Sequence, residues 1–286
     1  MSSLVSPELP GLIAQIEPSV VPIGYACVLS KITDKAVIQP VQQVVGSGFV
    51  VTHDGLVATC AHVIQGIPPY ADVIVGFAKA ERMVGWHFAD VVVCAGDEVA
   101  NLPALQFPDV CLLRIRQKVL GSKKAVDGDG KSVRLEVLMV DPPKSEEATF
   151  KALKLGSAKD LMVGDEVVFL GYPSGGGAGQ PLQPALPWLP TTAATFTSLG
   201  FKPSAVRAMV SAIRKGHALQ PLADGKSTFS VIELDSACNG GNSGGPVILT
   251  RSGEVVGFVA FNTPALSAST FAYEADLIAM ALQQFT

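Results

Sequence analysis

A glycine-rich run near the C-terminus holds a serine that could act as a nucleophile. The run reads GGNSGGP over residues 240–246, with Ser243 at its centre. A serine hydroxyl attacks only when a base removes its proton and fixed donors stabilise the resulting oxyanion. Glycines permit a turn that aims the amides of Gly241 and Ser243, with Asn242 between them, at one point. The alternative is a glycine-rich hairpin with a solvated serine, because short motifs of this kind recur by chance.

The base that such a serine needs is a histidine at the edge of the same cleft. His62 stands in the run TCAHV, where a predicted strand ends and a short turn begins. We therefore take His62 as the candidate general base. A lone histidine is more often structural, and we apply that interpretation to His53, His87 and His217, which have no supporting context.

A third residue must hold the imidazole in the correct tautomer and stabilise the imidazolium. Asp109 opens the apolar run DVCLLRI, where a carboxylate at the mouth of a strand can point inward without being deeply buried. Asp90 and Asp97 flank another apolar run, and we interpret both as exposed charges at strand ends. The order His62, Asp109, Ser243 therefore predicts a nucleophilic triad.

The composition describes a turn-rich globular protein. Hydrophobic residues make up 48% and charged residues 16% of the 286 residues, with 28 Gly and 20 Pro, which excludes a disordered or coiled-coil chain. The net charge is −4 and the basic residues are scattered, so we expect no nucleic-acid partner. The apolar runs are shorter than the about 18 residues of a spanning helix, so we expect no membrane insertion.

The N-terminus and the cysteines point to the cytoplasm. The first residues, MSSLVSPE, lack the basic region and apolar segment of a secretory signal. The five cysteines are an odd number without a CxxC pair, and most lie in apolar strand-like runs, which suits a reducing compartment. They are Cys27, Cys60, Cys94, Cys111 and Cys238. We expect no metal and no other cofactor.

The pattern of apolar residues predicts an all-β protein with a short helix at each end. Residues 9–17 have the spacing of an amphipathic helix, and residues 273–284 predict a closing helix. Between them, short β-rich runs alternate with turns, as in a sandwich or barrel. His53-Asp54-Gly55 predicts a hairpin over residues 46–59, because an Asp-Gly pair favours a tight turn.

We divide the chain into four parts. A helix and lead-in strand occupy residues 1–24, the first barrel residues 25–118, a polar connection with some strand near 133–140 residues 119–150, and the second barrel residues 151–286. A Gly- and Pro-rich insertion, residues 174–203, lies in the last part and is longer than an ordinary connection.

Taken together, these motifs resemble the trypsin-like peptidases of the chymotrypsin clan, and most closely the HtrA/DegP-type protease domain. The resemblance covers most of the chain and rests on motifs in the family's order: PSVV at 18–21, GSGFVV at 46–51, HVI at 62–64, DVCLL at 109–113, VGD at 163–165, DSACNGGNSGGP at 235–246, GEVVG at 253–257 and FA at 271–272.

The resemblance implies a chymotrypsin-like double β-barrel and peptide-bond hydrolysis by a serine protease. It implies that His62 and Asp109 come from the first barrel and Ser243 from the second. By position, the primary specificity pocket is formed by Cys238, Val259, Ala260 and Ser269, and no acidic residue is expected there. We therefore expect cleavage after small or medium apolar residues.

The chain departs from the family pattern in three places. It ends soon after the protease domain, so we expect no PDZ domain. The separation of His62 from Asp109 and the insertion at 174–203 are long for the family. The N-terminal segment lacks the aromatic residues of the family's trimer contacts, which leaves the oligomeric state open.

A second function stays open. In this alternative the protein has the protease fold but is resting, is activated only by a partner, or serves as a peptide-binding or scaffold protein. Residues 211–228 resemble the loop that senses activators in the family. A cysteine protease is less favoured, because Ser243 is a serine.

Overall fold

We describe the protein from a computed structural model, which covers residues 9–29, 39–67, 71–80, 83–94, 109–126, 132–140, 150–173, 202–217, 228–262 and 269–285. The predicted insertion at 174–203 lies almost entirely outside these ranges, as do Asp97 and residues 218–227 of the predicted activator loop.

Six antiparallel strands form the first barrel. They are β1 (Val20–Leu29), β2 (Gln39–Val50), β3 (Leu56–Cys60), β4 (Asp72–Ala80), β5 (Met83–Cys94) and β6 (Val110–Val126). Neighbours follow the order β3-β2-β1-β4-β5-β6, and pairing of β3 with β6 closes the ring. A further strand, β7 (Ser132–Val140), pairs with β6 outside the ring. A short helix, α2 (Ala61–Gln65), follows β3 directly.

Six more antiparallel strands close the second barrel. They are β8 (Glu166–Gly171), β9 (Ser204–His217), β10 (Thr228–Leu234), β11 (Pro246–Leu249), β12 (Glu254–Asn262) and β13 (Thr270–Glu274). Their order is β10-β13-β12-β11-β8-β9, and β9 pairs with β10. The predicted double β-barrel is therefore confirmed.

The two terminal helices are also confirmed, and both cover the core. Helix α1 (Leu9–Ile16) buries Leu12 and Ile16. Helix α3 (Asp276–Phe285) buries Leu277 and Ile278. It begins later than predicted, because residue 273 still belongs to β13.

One hydrophobic cluster joins the two barrels. It contains Phe49 and Leu112 from the first barrel and Leu170 and Phe258 from the second. The cleft between the barrels is thus held by a shared core, which keeps side chains from both barrels at fixed separations.

The strands agree with two local predictions, the hairpin over residues 46–59 and the strand near residues 133–140, and differ from the predicted start of the connection. The predicted hairpin over residues 46–59 joins β2 to β3 through a turn in which Gly55 has a φ of +90°. The strand predicted near 133–140 is β7. Strand β6, however, continues past residue 118, so the predicted start of the connection at 119 lies inside a strand. Residues 211–217 of the predicted activator loop lie in β9.

No helix in the described ranges has the length and apolar composition that crossing a bilayer requires.

Candidate active site

Pairing of β3 with β6 brings His62 and Asp109 together. Cys60, the last residue of β3, lies opposite Val110, the first residue of β6. One step further along, the Ala61 amide donates a hydrogen bond to the Asp109 carbonyl oxygen at 3.1 Å. The two candidate residues therefore stand at the same end of the paired strands, 47 positions apart in sequence.

The Asp109 carboxylate binds both the ring and the backbone of His62. His62 Nδ1 lies 2.8 Å from Asp109 Oδ2, and the His62 backbone amide donates to Oδ1 at 2.9 Å. The His62 side chain is 47% exposed and the Asp109 side chain 21% exposed. A carboxylate at Nδ1 favours a proton on that nitrogen, so Nε2 is the nitrogen that can accept another.

The backbone of Asp109 is left-handed, with a φ of +49°. Among non-glycine residues, Asp and Asn tolerate this region best. From this position its carboxylate contacts His62 in α2.

A tight turn precedes Ser243. The Asn242 amide donates to the Asn239 carbonyl oxygen at 3.2 Å, and Gly241 has a φ of +93°. The preceding Gly240 does not have a positive φ. A negative φ followed by a positive φ is typical of a type II turn, in which glycine is strongly favoured at the third position, here Gly241. Among the described residues, neither the Gly241 nor the Ser243 amide has an acceptor.

The Ser243 hydroxyl points at the second barrel. Its Oγ donates to the Ala260 carbonyl oxygen at 3.3 Å, and within the described ranges no hydrogen bond joins it to His62. The segments that carry the two residues nonetheless approach each other, because Val63 directly follows His62. A Cβ placed on Gly46 would meet both the Val63 side chain and the Ser243 carbonyl oxygen.

Sequence reasoning gave Ser47 no role beyond its motif, although it supports the serine turn. This fully buried residue of β2 donates from Oγ to the Gly241 carbonyl oxygen at 2.6 Å and accepts from the Tyr172 amide at 2.8 Å. Its own amide donates to the Ser243 carbonyl oxygen at 2.9 Å. The GSG run at 46–48 was the only signal in the sequence that could have pointed to it.

Asn242, predicted as part of the oxyanion hole, is 2% exposed. Within the described part of the chain, its Oδ1 has no hydrogen-bond partner. The side chain is packed beneath the turn, against Gly171.

A buried thiol adjoins His62 and Asp109. Cys60 is fully buried, and its Sγ donates to the Val259 carbonyl oxygen at 3.3 Å. One ligand atom from each of Cys60, His62 and Asp109 lies within 4.8 Å of the others. Burial, reinforced by the negative charge of Asp109, raises the pKa of the Cys60 thiol well above its usual value.

A pair of thiols lies close to Cys60. Cys94 and Cys111 face each other across β5 and β6. A hydrogen bond with Cys111 lowers the pKa of Cys94, whereas burial raises that of Cys111. No disulfide links the four cysteines whose side chains the structure describes, which are Cys60, Cys94, Cys111 and Cys238.

The predicted specificity pocket contains an acidic neighbour that we had not expected. Cys238, Val259 and Ala260 are buried. Ser269 Oγ, however, donates to Glu233 Oε1 at 3.4 Å. Arg214 Nε donates to the other oxygen of this largely buried carboxylate at 2.7 Å, so the charge is paired.

Structural contacts are made by His53, His87 and Asp90. His53 Nδ1 lies 2.9 Å from the Phe150 carbonyl oxygen. His87 packs edge-on against Phe77, with ring centroids 5.6 Å apart. His217 is the last residue of β9. Asp90 lies inside β5 and forms an ion pair with Arg116, so its predicted place at a strand end is wrong.

The chain matches a protein-family model in sequence and several solved proteins in structure. Residues 46–258 match the trypsin-like peptidase domain, a range that contains His62, Asp109 and Ser243. No curated protein sequence matches the chain.

Three solved structures illustrate the structural likeness. The HtrA-type protease AlgW with a decapeptide aligns at a TM-score of 0.58 and 16% identity, over 96% of this chain and 66% of that one. The Rv3671c protease from M. tuberculosis aligns in its active form at a TM-score of 0.54 and 21% identity, over 99% and 85% of the two chains. Its inactive form aligns at 0.52 and 22%, over 96% and 92%. At these identities the likeness shows the fold.

The double barrel and the match over residues 46–258 define a trypsin-like serine protease fold. The chain belongs to the trypsin-like peptidase family, and its substrates are proteins or peptides.

Proposed function

We propose that this protein is a serine endopeptidase that hydrolyses peptide bonds through an acyl-enzyme. Ser243 is the nucleophile, His62 the general base and then acid, and Asp109 the residue that orients His62. The observation that carries the proposal is the Asp109 carboxylate, which accepts from the His62 amide and lies 2.8 Å from His62 Nδ1. This contact leaves Nε2 of His62 as the proton acceptor.

In the acylation step, Ser243 Oγ attacks the scissile carbonyl carbon while His62 Nε2 takes the hydroxyl proton. To do so, the hydroxyl must rotate from the Ala260 carbonyl oxygen towards His62. The amides of Gly241 and Ser243, which have no acceptor among the described residues, stabilise the oxyanion. The intermediate collapses when His62 donates its proton to the leaving amine.

In the deacylation step, a water molecule replaces the amine. His62 removes a proton from this water as it attacks the acyl-enzyme, and then returns the proton to Ser243 Oγ. Asp109 stabilises the imidazolium in both steps. The largely covered carboxylate and the half-exposed ring suit these roles.

We propose that Cys238, Val259, Ala260 and Ser269 line the primary specificity pocket. The side chains of the first three are small or apolar and buried. Arg214 pairs with the Glu233 carboxylate beside Ser269, so this carboxylate offers no unpaired charge to a basic substrate residue. Small or medium apolar residues at the scissile position are therefore preferred.

Covalent labelling with a fluorophosphonate tests the proposal. The protein should be labelled, and Ser243→Ala should abolish labelling because the nucleophile is gone. Ser252→Ala, which removes an exposed serine in the turn after β11, serves as the matched control and should label like the parent chain. Persistent labelling of Ser243→Ala would contradict the assignment.

A second candidate is a resting protease or peptide-binding protein that an activating protein partner switches on. The bond from Ser243 Oγ to Ala260 favours it, because this hydroxyl is turned away from His62. The glycine turn and its two available amides favour a ready site. Labelling and casein hydrolysis by the isolated protein separate the two, since a resting site would show neither until a partner is added.

We also propose a cytoplasmic location. The four cysteines whose side chains are described form no disulfide, which suits a reducing compartment. Fractionation of host cells would test this, and recovery of the protein outside the cytoplasm would contradict it.

A further inference from the structure

The thiol of Cys60 has no part in the acyl-transfer chemistry, yet it lies beside two of the residues that do. One ligand atom each from Cys60, His62 and Asp109 lies within 4.8 Å of the others, and this is the one such group of three or more in the described part of the chain. A thiol, an imidazole and a carboxylate are the ligand types of Zn²⁺ in proteins. We propose that Cys60, His62 and Asp109 form an inhibitory Zn²⁺ site.

The distances between the ligand atoms allow a Zn²⁺ ion after a small adjustment, since all three atoms lie within 4.8 Å of one another. Bonds of about 2.0–2.3 Å in a tetrahedral site place ligand atoms roughly 3.3–3.7 Å apart. His62 Nδ1 and Asp109 Oδ2 are 2.8 Å apart, so they separate by about half an ångström to admit the ion. The half-exposed His62 side chain allows this movement.

The electrostatics of the group also favour a cation. A Cys60 thiolate without metal would stand next to the Asp109 carboxylate in a buried place, and the two negative charges would repel. A divalent ion between them turns that repulsion into attraction, and a coordinating thiol loses its proton. The His62 side chain is 47% exposed, so a water molecule that takes the fourth position of the ion would enter beside this ring.

Binding changes the protons of the site in a balanced way. Zn²⁺ replaces the Cys60 thiol proton, which passes to solvent, and Nδ1 of His62 becomes a ligand. The ring proton then sits on Nε2 rather than on Nδ1. A protonated Nε2 cannot accept the proton of Ser243, so the metal blocks the general base without touching the nucleophile.

The binding site itself can be tested without activity. Ser243→Ala keeps all three ligands and removes turnover, and Co²⁺ serves as the spectroscopic probe. We expect a thiolate-to-cobalt charge-transfer absorption in Ser243→Ala and its loss when Cys60→Ser is added. Adding Cys94→Ser instead should leave the band, because Cys94 belongs to the neighbouring thiol pair.

A second ligand variant tests the site independently, in case the variant at the buried Cys60 misfolds. His62→Ala in the Ser243→Ala background alters a half-exposed side chain. It should weaken Co²⁺ binding by at least about 100-fold, since even outer-shell changes cost about 10–100-fold. Absence of the band, its persistence in Cys60→Ser, or its loss only with Cys94→Ser would each overturn the site.

The consequence for activity rests on the proposed function and has its own readout. Zn²⁺ should slow fluorophosphonate labelling of the parent protein at least about tenfold, a chelator should restore the rate, and Mg²⁺ should have no effect. Cys60→Ser, compared with its own zinc-free rate, should lose most of this sensitivity. Equal slowing of both proteins would overturn the inhibitory role. A protein that never labels contradicts the proposed function, whereas the cobalt experiment still decides the metal site.

Discussion

Asp109 combines a left-handed backbone with a carboxylate whose two oxygens both contact His62. Its φ is +49°, and its oxygens lie 2.8 Å and 3.0 Å from His62 Nδ1. This position therefore requires a residue that tolerates a left-handed backbone and carries a negative charge beside His62. Asn meets only the first requirement.

Asp109→Asn removes the negative charge and keeps a residue that tolerates the left-handed backbone. The variant should keep the backbone and the fold but lower kcat by about 10⁴, because the amide stabilises the wrong imidazole tautomer. Steady-state kinetics on a peptide substrate measure this. Asp90→Asn, on the neighbouring strand β5 and paired with Arg116, is the matched control and should keep kcat close to the parent value. An equal loss in both variants would contradict the role of Asp109.

At the scale of elements, the turn between β10 and β11 is held by close backbone packing. Gly244 has a φ of +85°, and a Cβ on it would come within 3.0 Å of the Ser47 carbonyl oxygen and Thr59 Oγ1. Gly164, in the turn before β8, has a similar φ of +94° but no atom within 4 Å of such a Cβ. The two glycines thus share a backbone conformation and differ in their surroundings.

We expect Gly164→Ala to lower the free energy of unfolding by about 1–2 kcal/mol, the cost of a left-handed alanine. Gly244→Ala should lose about 1–3 kcal/mol more, because the methyl group also clashes with fixed backbone. It should also abolish labelling of Ser243. Denaturant unfolding and fluorophosphonate labelling measure the two effects. Similar losses of stability in both variants would mean that the turn yields to the methyl group.

At the scale of the whole molecule, Ser47 links the two barrels at the active site. It lies in the first barrel and binds Gly241 and Tyr172, which belong to the second-barrel part of the chain. Ser19 is equally buried, but its Oγ has no partner among the described residues. A comparison of Ser47 with Ser19 therefore distinguishes the effect of burying a hydroxyl from the effect of its hydrogen bonds.

Ser47→Ala should lower both stability and kcat. It leaves the Gly241 carbonyl and the Tyr172 amide without partners, at about 1–3 kcal/mol for each buried group. The loosened turn should reduce kcat with little change in KM. Ser19→Ala should leave both properties nearly unchanged. Calorimetry measures the stability of each variant, and steady-state kinetics measure kcat. An unchanged kcat in Ser47→Ala would show that the turn is held without the hydrogen bonds of Ser47.

Much of the fold could be predicted from the sequence because its signals are local. The Asp-Gly turn, the apolar spacing of α1 and the strand-like runs act over a few residues, and the structure contains all three. The start of α3 and the end of β6 were placed less well. Pairing with neighbouring strands extends β6 and β13, and a single chain segment does not reveal its partners.

The sequence by itself determined which residue types could perform the chemistry, because His62, Asp109 and Ser243 each stand in a recognisable local run. Only the tertiary structure decided how they meet. It brought His62 to Asp109 through the pairing of β3 with β6, turned Ser243 Oγ to Ala260, and set Cys60 beside the carboxylate. It also gave Ser47 its contact with Gly241, 194 positions away. Such contacts depend on the closing of two barrels around one core, and no local pattern in the chain records that closure.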